Sequence, residues 1–191
     1  MHSDADAPSD AGERYAFATF TMPTPDGAFT VITSAYGVLA SGWTPDFATL
    51  LPLVHQTLRP QPADVYALAP TELESSTVWP VAVEAQAAVT AYYAGDTSAP
   101  GRVPTIQASG PFREHAWEVL REVPPGSTVT YTEYAQRSGR PKAVRAAASA
   151  CAMNAAALFV PCHRVLRSDG SLGGFRYGLA VKQSLLGREQ A

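Results

Sequence analysis

Val160-Pro161-Cys162-His163-Arg164-Val165 is a short apolar segment in which a cysteine directly precedes a histidine. A thiolate is a strong nucleophile, and an imidazole beside it, directly or through a water, can take the thiol proton or stabilise the anion. Adjacent residues of an extended strand point to opposite faces, so the segment must bend, or a water must bridge, if His163 assists Cys162. Pro161 favours such an irregular backbone. Cys162 is therefore a candidate nucleophile, and the alternative is a core cysteine beside a buried histidine.

Two predicted helices precede this segment. Thr130-Tyr131-Thr132-Glu133 fits a capping box, in which threonine and glutamate satisfy exposed backbone donors, so a short helix is expected to run to about Ser138. Gly139 ends it, and Pro141 suits the first position of an alanine-rich helix that continues over 142–154. Two helices joined by a tight Gly-containing turn are typical of a helix-turn-helix. The small side chains of the second helix favour close approach to a DNA groove or, alternatively, close packing on another helix.

The flanking segments complete the C-terminal half. Pro111 begins a predicted helix with Trp117 on its apolar face, where a core position is expected. After the Cys-His segment come a turn, a glycine-rich loop at 172–175 and a final helix over Leu179–Glu189. A carboxylate such as that of Glu189 can orient an imidazole as the third member of a nucleophile-base set, although its spacing alone favours an exposed terminal glutamate.

The N-terminal half is predicted to begin as an antiparallel sheet. Its first three strands are rich in aromatic and β-branched residues and are separated by turns that contain Pro, Asp and Gly. Two helices are expected after them, the second of which stops at Gly95. A Pro/Gly/Ser-rich linker, 97–110, marks the domain boundary. The predicted strands are 14–21, 28–34 and 38–43, and the predicted helices are 46–58 and 81–94.

The composition of the 191 residues indicates a globular protein, because 46% are hydrophobic and 16% charged. No run approaches the roughly 20 apolar residues of a membrane helix, so no membrane partner is expected. Segment 1–14 is acidic and lacks the basic start and apolar core of a signal peptide, so we expect a disordered tail and a cytoplasmic protein. Two cysteines and four histidines show no metal-ligand spacing, so neither a metal nor a cofactor is expected.

The net charge of −3 conceals a split between the two halves. Residues 1–110 hold 3 basic and 11 acidic side chains, a net −8, whereas residues 111–191 hold 11 basic and 6 acidic side chains, a net +5. No acidic residue falls between Glu133 and Asp169. Such a surface favours binding of a polyanion such as nucleic acid, and a solvated basic surface is the alternative. The basic residues of this window are Arg137, Arg140, Lys142, Arg145, Arg164 and Arg167.

These elements, in this order, resemble the methylated-DNA–protein-cysteine methyltransferases, which remove alkyl groups from the O6 atom of guanine in DNA. The similarity is dense from about residue 108 to 189 and weaker upstream, where it is limited to the hairpin at 25–43 and to 91–96. The matching residues of the dense part are Pro111-Phe112, Trp117, Pro125-Gly126, Thr130-Tyr131, Gly139, Pro141-Lys142-Ala143, Arg145-Ala146, Asn154, Pro161-Cys162-His163-Arg164-Val165, Gly178-Leu179, Lys182, Leu185-Leu186 and Glu189.

The resemblance implies an α+β fold with two domains after the acidic tail of residues 1–14. Residues 15–100 would form an N-terminal antiparallel sheet with helices, similar to ribonuclease H. Residues 108–191 would form a mainly helical C-terminal domain that contains the helix-turn-helix and the alkyl acceptor.

The resemblance also implies a reaction. Cys162 would accept the alkyl group, His163 would remove its proton through a water, and Glu189 would hold the imidazole. Tyr131 would present its phenol to the guanine ring nitrogen, and Asn154 would order the active-site turn. Transfer from O6 of guanine, and from O4 of thymine, would be direct and stoichiometric, because water does not hydrolyse the thioether product.

Double-stranded DNA with an alkylated guanine is the implied partner of a monomeric protein. The damaged base must be flipped out of the duplex, so the second helix would enter the minor groove and Arg145 would fill the gap in the stack. Departures from the family pattern at Ala148, Ala155, Ala157 and Tyr177 bear on the range of alkyl groups more than on the reaction. The implied DNA contacts are Tyr131, Arg140, Lys142, Arg145, Ala148 and Ser149, and the implied pocket residues are Trp117, Ala157, Val165, Arg176 and Tyr177.

Two other functions fit part of the pattern. A non-catalytic protein that binds alkyl-damaged DNA would keep the helix-turn-helix and the basic window but would not need Cys162 with His163 and Glu189. A cysteine hydrolase would use Cys162 and His163 but would leave the basic window and Arg145 without a purpose, and weak, salt-dependent DNA binding would favour it.

Overall fold

The computed structural model describes residues 16–73 and 79–190, so the predicted tail at 1–14 lies outside the described residues. The N-terminal part begins with three antiparallel strands, β1 (Phe17–Thr24), β2 (Gly27–Ser34) and β3 (Gly37–Trp43). A short strand, β4 (Val65–Ala67), pairs parallel with β1, which gives the sheet order β3-β2-β1-β4. The predicted antiparallel sheet is confirmed. Gly27 permits the tight β1–β2 turn because it adopts a φ of 116°.

The helix predicted over 46–58 is wrong. The segment forms two 3₁₀ turns, Phe47–Thr49 and Leu51–Leu53, instead of a continuous α-helix. Pro52 has no N–H group and its ring obstructs the preceding turn, so an α-helical hydrogen-bond ladder cannot pass through it. Leu50 and Val54 are nevertheless buried, which explains why the apolar spacing resembled that of a helix.

A short helix, α1 (Pro70–Leu73), is followed by α2 (Pro80–Tyr93), which packs across the sheet. The prediction of a helix over 81–94 is confirmed by α2. Its buried residues include Ala82, Ala85, Val89 and Tyr92, which recur at helical spacing on one face. Small residues on this face let the helix lie close to the strands.

The C-terminal part is mainly helical. It has a two-stranded parallel sheet that was not predicted, in which the strand before the capping box pairs with the strand after the Cys-His segment. The molecule is therefore an α+β protein with a largely antiparallel main sheet. The elements are α3 (Pro111–Arg121), β5 (Val129–Thr130), α4 (Tyr131–Arg137), α5 (Val144–Ala152), β6 (Val165–Leu166) and α6 (Leu179–Glu189).

The capping box predicted at the start of α4 is confirmed. The hydroxyl of Thr130 accepts a hydrogen bond from the backbone N–H of Glu133 at 3.1 Å, and the Glu133 carboxylate accepts one from the N–H of Thr130 at 2.7 Å. The next helix starts later than predicted. The residues after Pro141 form a turn, and α5 begins at Val144 because Ala143 donates to the Arg140 carbonyl at 2.8 Å in a turn that precedes it.

Backbone hydrogen bonds join the two parts along the outer edge of β3. Val38 donates to the Pro104 carbonyl at 2.9 Å, so the predicted linker packs against the sheet. Ser41 donates its backbone N–H to the Ala155 carbonyl at 2.9 Å and its hydroxyl to the Ala157 carbonyl at 2.8 Å. Across 16–73 and 79–190, no helix has the length and apolar character needed to cross a bilayer.

Candidate active site

Residues Cys162–Arg164 form a 3₁₀ turn, so the Cys-His segment does bend. Pro161 leads into it with a φ of −83° and a ψ of 62°, and the N–H of Cys162 donates to the Val160 carbonyl at 2.9 Å. The turn separates the two side chains: Cys162 is partly exposed, whereas His163 is fully buried. The thiol thus faces an accessible space, whereas the imidazole lies in the protein interior.

That space is a cavity of about 320 Å³ between α4, α5 and the loop before α6. Cys162 lines it together with Tyr131 at the start of α4, which places a phenol and a thiol around one volume. Seven residues that the resemblance assigned to the site line the cavity, and four that it did not assign line it as well. The first group is Tyr131, Ala148, Asn154, Ala157, Cys162, Arg176 and Tyr177, and the second is Cys151, Ala152, Gly174 and Phe175.

Asn154 fixes the geometry of the turn and contacts the thiol. Its amide nitrogen donates to the Val160 carbonyl at 2.8 Å and to the Cys162 sulfur at 3.2 Å. Its amide oxygen accepts from Gln107 at 3.0 Å, and Gln107 in turn accepts from the N–H of Ala155 at 2.7 Å. Gln107 therefore holds Asn154 in one orientation. Its position in a Pro/Gly/Ser-rich segment gave no sequence signal for this role.

The thiol of Cys162 is set to hold its proton at neutral pH. Burial raises its pKa above the ordinary value of 9.0, although the hydrogen bond from Asn154 and the positive charges of Lys182 and Arg176 act in the opposite direction. A thiol in this state reacts as a nucleophile only after a base removes its proton.

Glu189 lies against His163 inside the protein. The imidazole Nε2 and the carboxylate Oε1 are 2.8 Å apart, and the two side chains are 0% and 1% exposed. Arg164 binds the same carboxylate through two hydrogen bonds of 2.9 Å. Burial opposes ionisation of Glu189, but hydrogen bonds from His163 and Arg164 outweigh it and lower its pKa to about 2. The terminal glutamate is therefore a buried carboxylate, not an exposed one.

The other ring nitrogen of His163, Nδ1, is buried as well. Burial lowers the pKa of the imidazole, and the hydrogen bond and charge of Glu189 only partly reverse this. Because Nε2 faces Glu189, Nδ1 is the nitrogen left for proton exchange. Nδ1 makes no hydrogen bond to any residue of the described ranges.

Lys182 is fully buried at the first turns of α6. Its ammonium donates to the carbonyls of Val165, at 2.7 Å, of Leu172, and of Gly174, at 3.5 Å. Burial lowers its pKa, whereas the neighbouring cysteines, Cys162 first, raise it. Lys182 therefore joins the strand after the Cys-His turn to the loop that walls the cavity. The sequence analysis matched Lys182 to the family pattern but assigned it no role in the site.

The cavity loop also contacts the N-terminal sheet. The phenol of Tyr177 donates to the Ser41 carbonyl at 3.0 Å, and its ring packs edge-on against Trp43 with centroids 5.4 Å apart. Gly42 makes this approach possible, because a Cβ atom at that position would overlap the phenol. Burial raises the pKa of Tyr177 to about 12, so the phenol stays neutral.

Two residues expected in the pocket, Trp117 and Val165, have side chains that do not line the cavity. Trp117 is buried beneath α5, where its indole N–H donates to the Ala150 carbonyl at 2.9 Å. Val165 is 0% exposed in β6, and its carbonyl is bound by Lys182. Both side chains support the walls of the cavity from behind and do not line it.

Of the basic residues expected at the DNA surface, three lie in or next to the turn between α4 and α5, whereas Arg164 is buried against Glu189, which corrects its assignment to that surface. Arg140, Lys142 and Arg145 are exposed, and the guanidinium of Arg140 lies 5.1 Å from the centroid of the Phe112 ring. Ser149 is partly buried on α5 and its hydroxyl accepts from Arg113 at 3.4 Å. Tyr131 and Ala148 face the cavity, so the cavity opens beside this basic surface.

Comparison with known proteins matches residues 111–191 to the family model described as 6-O-methylguanine DNA methyltransferase, DNA binding domain. The bifunctional transcriptional activator/DNA repair enzyme Ada of Escherichia coli (strain K12) is 53% identical over 78 residues, which are 41% of this chain and 22% of that protein. A methylated-DNA–protein-cysteine methyltransferase of Methanosarcina acetivorans is 40% identical over 103 residues, 54% of this chain and 65% of that protein. The chain thus spans less than two thirds of the length of either relative.

Solved structures match over most of the chain. The O6-methylguanine methyltransferase of Mycobacterium tuberculosis is 25% identical, with a TM-score of 0.68, over 91% of this chain and 93% of that one. A structure of Mycobacterium tuberculosis OGT in complex with DNA is 26% identical, with a TM-score of 0.65, over 91% of this chain and 92% of that one. Residues 111–191 thus match the DNA-binding domain of the 6-O-methylguanine DNA methyltransferase family, and the fold of most of the chain is similar to that of solved O6-methylguanine methyltransferases.

Proposed function

We propose that the protein repairs DNA by moving a methyl or other alkyl group from O6 of guanine, and from O4 of thymine, directly onto Cys162. It would thus act as a methylated-DNA–protein-cysteine S-methyltransferase. The observation that carries the proposal is the placement of the thiol: Cys162 opens into a cavity of about 320 Å³, while the next residue, His163, is fully buried and paired with Glu189.

The proton of the thiol leaves first in the proposed reaction. Nδ1 of His163 takes it through a bridging water, and Glu189 holds the imidazole by its Nε2 hydrogen. The amide of Asn154, 3.2 Å from the sulfur, and the charge of Lys182 stabilise the thiolate that results. A base is needed here because burial keeps the resting thiol protonated.

The alkyl carbon is then transferred. The sulfur of Cys162 forms a bond to this carbon as the bond from carbon to O6 breaks, and the electron pair passes into the guanine ring. Tyr131 donates its phenolic proton toward the ring nitrogen, so the base departs uncharged. Burial raises the pKa of Tyr131, which keeps this proton available. The thioether resists hydrolysis, so each molecule reacts once.

The proposed partner is double-stranded DNA that contains an alkylated guanine, bound by a monomer. We assign α4, the following turn and α5 to a helix-turn-helix whose second helix enters the minor groove, with Arg145 in the stack in place of the flipped base. The exposed Arg140 and Lys142 would contact the DNA backbone. The two free cysteines suit the reducing cytoplasm, which we propose as the location.

The proposal assigns residues 15–100 to a scaffold domain and residues 108–191 to the DNA-binding and acceptor domain. The sheet order β3-β2-β1-β4, with a parallel β4, supports a ribonuclease H-like scaffold. Tyr177, which leans over the cavity from its contact with β3, would limit the size of the alkyl group.

Intact-protein mass spectrometry tests the reaction. Mixing the protein with a duplex that carries one O6-methylguanine should add one methyl group per molecule and then stop. Cys162→Ala should gain nothing, whereas Cys151→Ala, which removes the other thiol of the same cavity, should still gain one. An unchanged mass with the duplex still bound would instead support a non-catalytic protein that senses alkyl damage.

A further inference from the structure

We propose that Tyr92, in the N-terminal part, is a positioning residue for the His163–Glu189 pair, and this inference rests on the proposed function. Tyr92 lies near the end of α2 and is 0% exposed. Its hydroxyl donates to Oε1 of Glu189 at 3.3 Å, while the Leu185 carbonyl lies 3.5 Å away. An ionised carboxylate is the stronger acceptor of the two, so the proton is directed to Glu189.

The three donors on Oε1 do not come from the same part of the chain. His163 and Arg164 belong to the turn that carries Cys162, whereas Tyr92 reaches Glu189 from α2. Within the described residues, Tyr92 gives the carboxylate its hydrogen bond from the N-terminal part. The scaffold half thereby fixes the group that orients the imidazole.

This contact affects the imidazole because donors to one oxygen compete. The hydroxyl of Tyr92 stabilises the charge on Oε1 and so weakens the pull of that oxygen on the Nε2 hydrogen of His163. The other charged groups that act on His163 are Arg164 and Lys182, and both disfavour its protonation. Without the Tyr92 hydroxyl, His163 and Arg164 remain as the donors to Oε1 among the described residues, which strengthens the His163–Glu189 hydrogen bond and favours the protonated imidazole.

The matched variants are Tyr92→Phe and Tyr93→Phe. Each removes one phenolic oxygen from the same helix and keeps the ring. The hydroxyl of Tyr93 donates to Asp26 at 2.9 Å and accepts from Trp43 at 3.1 Å. These partners are not part of the His163–Glu189 pair. Thermal unfolding shows that the compared proteins are folded.

Two measurements then decide the role of Tyr92. Nuclear magnetic resonance of the His163 ring gives its titration midpoint, and quenched-flow assays give the rate of methyl transfer against pH. In Tyr92→Phe the midpoint should rise by about half a pH unit, about threefold in the protonation equilibrium, and the acidic limb of the rate profile should move with it. Tyr93→Phe should match the wild type in both.

An unchanged His163 midpoint and an unchanged rate profile in Tyr92→Phe would overturn the proposal, as would an equal shift in Tyr93→Phe. The titration needs no substrate, so it judges Tyr92 even if the wild-type protein transfers no methyl group. Failure of the wild-type protein to transfer a methyl group would instead reject the proposed function.

Discussion

The reactivity of Cys162 depends on a balance between burial and two neighbouring groups. Burial favours the neutral thiol, whereas the Asn154 amide and the Lys182 ammonium favour the thiolate. Lys182 has a second role, since its backbone acceptors belong both to β6 and to the loop that walls the cavity. A single buried cation thus supports both the charge and the shape of the site.

Replacing Lys182 with methionine tests both roles. The substitution leaves buried carbonyl groups without a donor and should lower the free energy of unfolding by about 3 kcal/mol. It should also raise the pKa of the Cys162 thiol, which iodoacetamide alkylation against pH measures in a Cys151→Ala background. Lys142→Met, at an exposed position, should change neither quantity appreciably. An unaltered alkylation profile in Lys182→Met would show that its charge does not reach the sulfur.

Local sequence identified the residues of the site that belong to a compact motif. Cys162 and His163 could be predicted because the chemistry needs a thiol and an imidazole together. Gln107 could not, since its partner Asn154 is 47 residues away and only the folded chain brings them together. Trp117 and Val165 were assigned to the pocket from the resemblance, and neither side chain lines the cavity.

At the scale of elements, capping and proline chemistry account for both the correct and the incorrect predictions. The box at Thr130 defines the start of α4 because both of its hydrogen bonds are local. The segment 46–58 was misread because apolar spacing outweighed Pro52. The pairing of β5 with β6 escaped prediction because strands of two residues have no periodicity to detect.

The contact between Tyr177, in the loop that walls the cavity, and β3 gives a prediction at this scale. Gly42→Ala places a methyl group where the Tyr177 phenol lies, and such overpacking should lower the free energy of unfolding by about 1–3 kcal/mol. Gly101→Ala is the control, because a Cβ there meets nothing within 4 Å. Urea unfolding compares the two. Equal free energies of unfolding for the two variants would mean that Tyr177 can move away from β3 without destabilising the protein.

At the scale of the whole molecule, Glu189 connects the two parts. It ends the last helix, binds the Cys-His turn through His163 and Arg164, and accepts from Tyr92 on α2. Its ionisation is therefore coupled to global stability, and not only to the chemistry at Cys162.

Acid should lower the free energy of unfolding, because it protonates the Glu189 carboxylate. The pKa of Glu189 falls from an ordinary 4.5 to about 2 in the folded protein, so the unfolded chain binds the proton more readily. The resulting stability is fully present above about pH 4.5 and is lost as the pH falls through about 2. The urea concentration at the unfolding midpoint should change less between pH 2 and 7 for Glu189→Gln than for the wild type. Glu118→Gln, on an exposed side chain, should show the same change as the wild type.

The outer edge of β3 is covered by backbone from 104–106 and 155–157, and the second segment leads directly into the Cys162 turn. Uncovered N–H and C=O groups on a strand edge recruit strands from other molecules and so start aggregation. The opposite edge of the sheet is β4, which has only three residues and offers little to pair with. The segment that leads to the reactive cysteine therefore also covers the edge of β3. An N-terminal fragment that lacks this segment would expose the edge of β3, which could then pair with strands of other molecules.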